Sequence, residues 1–266
     1  MKISKNVLMK DYTTFKVGGP ADCFVVAETE ADIKEALSMD RPLLIGNGSN
    51  IIFSDAGYRG TVIKLGGEFS KIKLEGNTVV AGAAALLPVV SRFAAEHGLS
   101  GLEFACGIPA STGGAVYMNA GAYEHSVSEL FDSSEGFGYR KSPFMTNGEV
   151  VTSARFNLVP ADKEEIFERM REYTAKRTSK QPLAYPSAGS FFKRPEGYFA
   201  GKLIQDAGLK GYSIGGAQVS ELHAGFIINT GNASAEDIFS LMHYVQKRVK
   251  EESGVDLEPE VRIIAE

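Results

Sequence analysis

The chain has 266 residues, 28 basic and 33 acidic side chains, a formal charge of −5 and 44% hydrophobic residues. This balance excludes the basic face that nucleic-acid binding needs, and no apolar run approaches the roughly 20 residues that cross a bilayer. The two cysteines, Cys23 and Cys106, stand in unrelated surroundings and read as small buried hydrophobes, not as a disulfide framework. The opening MKISKNVLMKDYTTF lacks a secretory apolar core, so a cytoplasmic location is expected.

In chain order, ADCFVVAE (21–28) reads as a strand. A helix over 30–39 follows, with Thr29 and Asp32 at capping-box spacing. A strand at 42–46 empties into Gly46-Asn47-Gly48-Ser49-Asn50. Strands are expected at 60–67, 71–76 and 77–82, the last two joined by a tight turn at Gly76-Asn77. Residues 85–97 read as an amphipathic helix with Leu86, Val89, Val90, Phe93 and Ala94 on one face and Gly98 as its stop. A second glycine-rich segment, GIPASTGGAVYMNAGAY, occupies 107–123, and 149–158 reads as a strand.

Composition shifts at 160–180, where PADKEEIFERMREYTAKRTSKQP is charged and helical, with Ile166, Met170, Tyr173 and Thr174 on one side. A domain boundary is therefore expected near Pro160. Beyond it, SFFKRP reads as a short strand, YFAGKLIQDAGL as a helix ending at Gly208, and SELHAGFIINTG as holding a strand. A long helix at 235–252 has Ser234 as N-cap, Asp237 three residues on and Gly254 as its stop. VRII closes the pattern as a strand.

Small-residue loops let a ligand approach the main chain, and successive free N–H groups make a concave donor site for anionic oxygens. The usual phosphate motifs, GxGxxG and GxxxxGK[ST], are absent. Two such loops flanking apolar strands suit a diphosphate-linked cofactor lying extended between them, held mainly by backbone amides. A branched side chain at Gly48 is expected to crowd the loop and so lower the occupancy of that cofactor. His97, His125, His223 and His243 show no metal-ligand spacing, and no metal is expected.

Six motifs occur in order: TTFKVGGPA, IGNGSN, LEFACGIPASTGGAVYMNAGAY, FGYRKS, YPSAGSFFKRP and LEPEVRII. Together, over residues 13–264, they resemble the UDP-N-acetylenolpyruvoylglucosamine reductase (MurB) family, in its type II branch. The resemblance implies an α+β chain whose FAD-binding domain is of the vanillyl-alcohol-oxidase/PCMH type, with a C-terminal α+β substrate-binding domain. The domains are expected at 1–160 (subdomains near 1–65 and 66–160) and 161–266, the final strand returning Glu260 to the active site. The implied reaction is NADPH-dependent and uses non-covalent FAD to convert UDP-N-acetylglucosamine enolpyruvate to UDP-N-acetylmuramate. Between GAYEHSVSELF and GFGYRKS only DSSE stands where the family carries a longer segment, so the setting of Arg140 is expected to differ locally.

The resemblance also implies roles. Arg140 stabilises developing charge, Ser190 supplies the proton and Glu260 helps to polarise the substrate. Candidate FAD residues are Gly46, Asn47, Gly48, Ser49 and Asn50 on one wall. On the other are Gly82, Ala83, Gly107, Ile108, Pro109, Ser111, Gly113, Gly114 and Ala115, with Asn119 as a polar partner of the flavin or its ribityl chain. Tyr139, Lys180, Lys193, Arg194 and His223 are candidate contacts for a UDP-sugar. Two other readings remain open on the residues: an FAD-dependent oxidase of the same fold, and a flavin-binding module without catalysis.

Overall fold

The computed structural model describes residues 1–265. Helices and strands are mixed throughout, as an α+β fold requires. Packing divides the chain into two units. The first holds residues 1–3, 25–47 and 62–177; the second holds residues 4–24, 48–61 and 178 onward. One four-stranded sheet has the order Lys2–Leu8, Pro20–Ala27, Tyr58–Leu65, Pro42–Ile45. Among the described residues no helix is long and apolar enough to cross a membrane.

In the first unit, helix α1 (Glu30–Leu37) begins at the expected capping box. The Thr29 hydroxyl accepts the Asp32 N–H at 3.2 Å while the Asp32 carboxylate accepts the Thr29 N–H at 3.1 Å. Strands Ile72–Glu75 and Thr78–Gly82 form the expected hairpin, with Glu75 opposite Thr78 across the Gly76-Asn77 turn. Ser153–Asn157 pairs with the other side of Thr78–Gly82. The core of the unit gathers Val79, Leu87, Val90, Leu102, Phe104 and Phe156.

Helix α2 (Leu87–Glu96) buries a different face from the one expected. Leu87, Val90, Ser91, Ala94 and Ala95 are inside, while Leu86 and Val89 remain 42% and 52% exposed. Leu86 is not helical: it is extended and bridges to Ser111, so the helix starts one residue later and its inward stripe rotates accordingly. Helix α3 (Thr112–Tyr117) follows the second glycine-rich loop.

Helix α4 (Lys163–Lys180) packs with the first unit, so the division falls at residue 177 and not near Pro160. Three contacts explain this. Ile166 is fully buried, the Tyr173 ring stacks on Tyr123 at 4.4 Å, and Arg169 pairs with the buried Glu103 at 2.8 Å. The composition shift at 160 marks a solvated helix face, not a change of unit.

The second unit is built on helix α6 (Ala235–Ser253). Ala235, Ile238, Leu241, Met242, Val245 and Val249 recur at helical spacing and are buried. Its N-terminus is capped twice: by the Ser234–Asp237 box, and by the Asp55 carboxylate, which accepts the N–H groups of Ala235 at 2.9 Å and Glu236 at 3.1 Å. Gly254 ends it with φ 73°. Helix α5 (Ala200–Asp206) and an antiparallel set of Ser213–Ile214, Ala217–Val219 and Ile227–Asn229 complete the layer. Phe15, Ile52, Phe191, Ile204 and Ile227 join α6 in one apolar cluster. SFFKRP makes only an isolated bridge, from Phe192 to Pro259. Among the strands that escaped the pattern reading are Lys2–Leu8, whose residues are nearly all exposed, and Ile51–Phe53, too short for periodicity, which pairs in parallel with Arg262–Ile264.

Glu103 carries a pH prediction. Burial pushes its carboxyl up, but the N–H of Gly101 and the side chains of Arg169 and Ser100 bond the ionised form and pull it below its ordinary value. A depressed folded-state value stabilises the protein above the ordinary glutamate range and loses that contribution as pH falls through the folded value. Glu103→Gln should lower unfolding stability by about 2 kcal/mol at pH 7. In urea titrations, the gap from wild type should narrow below about pH 4. An equal gap at both pH values would show that the charge is not what the site stabilises.

Candidate active site

The first small-residue loop answers why a buried strand ends in such a segment. None of the N–H groups of Asn47, Gly48, Ser49 and Asn50 donates to a protein acceptor among the described residues. The loop is nonetheless pinned. Asn47 Nδ2 donates to Pro109 O at 2.8 Å, the Thr14 N–H donates to Gly48 O at 3.1 Å, and Asn50 Nδ2 donates to Glu260 O at 3.1 Å. Four donors in succession on a fixed backbone make a site for anionic oxygens.

Gly48 is a glycine for the fold. Its φ is +68°, and a Cβ there would stand 2.0 Å from Tyr12 O. A branched residue at this position collides with the chain, so it would crowd the loop itself, within the second unit. Gly46 is small because of a neighbouring loop: a Cβ would stand 2.6 Å from Ser111 Oγ.

The second loop differs in kind. Its N–H groups are largely used within the protein: Ile108 to Ala105 O, Ala110 to Ile108 O, Thr112 to Ala85 O, Gly113 to Ala83 O and Gly114 to Ser111 Oγ. Ala83 and Gly82 are likewise held in backbone bonds, to Thr152 O and Lys71 O, and Ala115 is fully buried. This segment offers a close-packed wall against Gly46, and the donors lie in the first loop.

Arg140 sits on a hairpin tip in the first unit. Gly138 and Lys141 exchange two backbone bonds of 3.1 Å, leaving Tyr139 and Arg140 as the two central turn residues. Arg140 has φ 53°, a left-handed conformation that costs a non-glycine residue about 1 kcal/mol. Asn119 holds this tip. Its side chain is 95% buried; Nδ2 donates to Gly138 O at 2.8 Å and Oδ1 accepts the Ser128 N–H at 3.2 Å. Its own carbonyl accepts from Arg140 Nη1 at 3.4 Å, and the buried Ser142 donates to Tyr117 O at 2.7 Å. One amide hydrogen and one carbonyl lone pair of Asn119 are thus used to hold the turn that carries Arg140.

The second unit presents Ser190 and Glu260 on paired segments. Glu260 N–H donates to Phe191 O and Lys193 N–H donates to Glu258 O, both at 2.8 Å, around the Phe192–Pro259 bridge. Ser190 is exposed and its hydroxyl has no hydrogen-bond partner among the described residues. Asn50, which bonds Glu260 O, also accepts the Arg262 N–H at 3.0 Å, so the first loop and the Glu260 segment are tied together.

The candidate substrate residues behave differently from one another. Lys180 is exposed at the end of α4, and Tyr139 is exposed with the Arg140 guanidinium 5.1 Å from its ring. Lys193 is ion-paired with Glu258. Arg194 stacks on the exposed Phe199 at 3.9 Å. His223 is half-buried; its Nδ1 accepts the Gly225 N–H at 3.1 Å, and burial pushes the imidazole below its ordinary value. Sequence reasoning missed Lys64 and Arg177. The first lies at Gly46 O, 3.4 Å away, and the second against Gly107. Neither lies in a recognisable phosphate motif, so only the fold brings them to the loops.

Residues 181–264 match the model of the UDP-N-acetylenolpyruvoylglucosamine reductase C-terminal domain, and residues 21–136 match an FAD binding domain. The UDP-N-acetylenolpyruvoylglucosamine reductase of Clostridium beijerinckii is 48% identical, over all of this chain and 94% of that relative. The chain belongs to this reductase family. The reductase of Clostridium perfringens strain SM101 is also 48% identical, over 96% of this chain and 91% of its own. The crystal structure of the Thermus caldophilus reductase matches with a TM-score of 0.88 at 40% identity, each chain covered completely. The Clostridium beijerinckii alignment runs over 286 positions against 266 residues here, so that reductase has segments without a counterpart in this chain.

Both small-residue loops fall inside the FAD-binding match, and Ser190 and Glu260 inside the reductase C-terminal match. Arg140 lies in the interval between the two. The residues present suit FAD: a run of unpaired N–H donors for a diphosphate, a close-packed wall beside it, and two cations without a carboxylate partner. Asn119→Ala should leave FAD occupancy, read from the flavin band, within about twofold of wild type. It should lower kcat about tenfold or more by releasing the turn that presents Arg140. Loss of the flavin band in step with kcat would return Asn119 to the cofactor site.

Proposed function

We propose that this chain is an FAD-dependent reductase of UDP-N-acetylglucosamine enolpyruvate, using NADPH and acting in the cytoplasm on the path to peptidoglycan. The observation that carries the reading is the pairing that sets Ser190 beside the Glu260 segment, which is itself bonded to Asn50 of the donor loop. FAD, when bound, supplies the chemistry of taking hydride from NADPH and passing it to the terminal vinyl carbon.

The chain's residues do the rest. The Arg140 guanidinium, planar and permanently charged, meets the substrate carboxylate as negative charge builds on it. The role given to Glu260 is to help polarise the substrate. Ser190 Oγ–H delivers a proton to the carbon bearing the ether oxygen, completing addition of two hydrogens across the double bond. A solvent-accessible hydroxyl with no competing protein partner is free to turn toward that carbon. Lys180, Arg194 and Tyr139 are the groups offered for the UDP moiety, Lys180 and Arg194 supplying charge for its phosphates.

Ser190→Ala should retain bleaching of the flavin band by NADPH. It should slow reoxidation by the enolpyruvyl substrate by about 10²–10⁴, the range of a general acid. Both half-reactions are read by stopped-flow absorbance. Equal loss in both would make Ser190 structural. Rapid reoxidation by oxygen with no response to the enolpyruvyl substrate would replace the reductase reading with an oxidase.

A further inference from the structure

Two half-buried cations stand apart from the ion-paired basic residues. Arg169 and Lys193 meet carboxylates, and so does Arg59, at Asp22. Lys64 and Arg177 meet none. The nearest polar partner of Lys64 Nζ is Gly46 O at 3.4 Å, at the long end for a hydrogen bond. Arg177, half-buried near the end of α4, makes no hydrogen bond or ion pair among the described residues. Its Cδ lies 2.7 Å from where a Cβ on Gly107 would stand, and the titratable groups beside it are Tyr123 and Cys106, both neutral at ordinary pH. Burial lowers the basicity of both groups, and among the described Lys and Arg side chains only these two are shifted down.

Both cations belong to the first unit and address one pair of joined loops. Gly46 lies against Ser111 and Gly114, and Asn47 Nδ2 is bonded to Pro109 O. A partly desolvated cation with no counter-charge is destabilising. Neither residue acts as a structural ion pair.

We propose that Lys64 and Arg177 are counter-charges for anionic oxygens of the bound cofactor, one at each end of the joined loops. The claim rests on the FAD reading above. The shared chemistry is negative oxygen, and the cofactor has it in two places: the diphosphate, and the pyrimidine edge of the reduced flavin ring. Backbone donors of residues 47–50 orient the ligand, while the two side chains supply net charge that amides lack.

The test uses the full chain as wild type, Lys64→Met and Arg177→Met, with Arg177→Lys as a charge-retaining control. Apo thermal melts come first. Removing an uncompensated charge should leave each Met variant melting at or above the wild-type temperature, whereas a structural role predicts a lower one. Titrations with FAD, riboflavin and ADP follow, then flavin midpoint potentials. If the cations meet the diphosphate, FAD and ADP affinity should fall about tenfold or more in the Met variants while riboflavin affinity holds. If they meet the reduced ring, affinity for oxidised FAD holds and the midpoint potential becomes more negative. Arg177→Lys should recover part of either effect. Either pattern supports the proposal. Met variants with wild-type affinities and potentials overturn it, whatever their melting temperature. Should a Met variant not fold, Lys64→Gln or Arg177→Lys is read by the same two measurements. A wild-type chain that takes up no FAD would instead overturn the reductase reading on which the claim rests.

Discussion

The structure depends on a backbone that is held still without being satisfied. Four successive amide N–H groups, residues 47–50, have no protein acceptor among those described. Unpaired donors normally relax into turns or find a side chain. Here they are prevented from doing so, because the loop is tied by Asn47 to Pro109, by Gly48 to Thr14 and by Asn50 to Glu260 and Arg262. The loop is therefore organised for an oxygen-rich anion before one arrives, and binding does not have to meet the entropy of ordering it.

The same ties connect cofactor binding to catalysis. Asn50 reaches the Glu260 segment through two hydrogen bonds, and that segment in turn pairs with Phe191 and Lys193, placing Ser190 next to it. A disturbance at Asn50 passes along backbone bonds to the segment that carries Ser190, within one unit. In the first unit the corresponding organiser is Asn119. A buried amide with both ends used is costly to replace, since each lost partner leaves a buried polar group unsatisfied. Its conformation, with φ 42°, is itself strained, and so is that of Arg140, which it holds.

What the sequence displayed were features written in adjacent residues. Thr29 with Asp32 and Ser234 with Asp237 are capping boxes legible at a spacing of three, and Gly76-Asn77 is a turn legible as a dipeptide. The ordered motifs carried the family, because six of them in sequence leave few alternatives. Features decided by tertiary contact were not displayed. The face of α2 depended on Leu86 being drawn into a bridge with Ser111, and the attachment of α4 depended on Glu103, some sixty residues earlier in the chain. Asn119 looked like a cofactor residue because it stands in a cofactor motif. That it also holds the turn is visible only in its bonds to Gly138 and Ser128. Lys64 and Arg177 were invisible because nothing in their neighbours marks them; their meaning is the absence of a carboxylate, which a sequence does not report.

The short segment before Arg140 illustrates how local such a site can be. The arginine is presented on a defined tip. The reason lies in where the tip is anchored. Gly138 is bonded to Lys141 across the turn and to Asn119 behind it, and Ser142 is bonded to Tyr117. Tyr117 and Asn119 belong to α3 and its exit, which are packed into the unit's core through Ala115 and Val116. The guanidinium is therefore positioned from the helix side, by chain that is present and rigid.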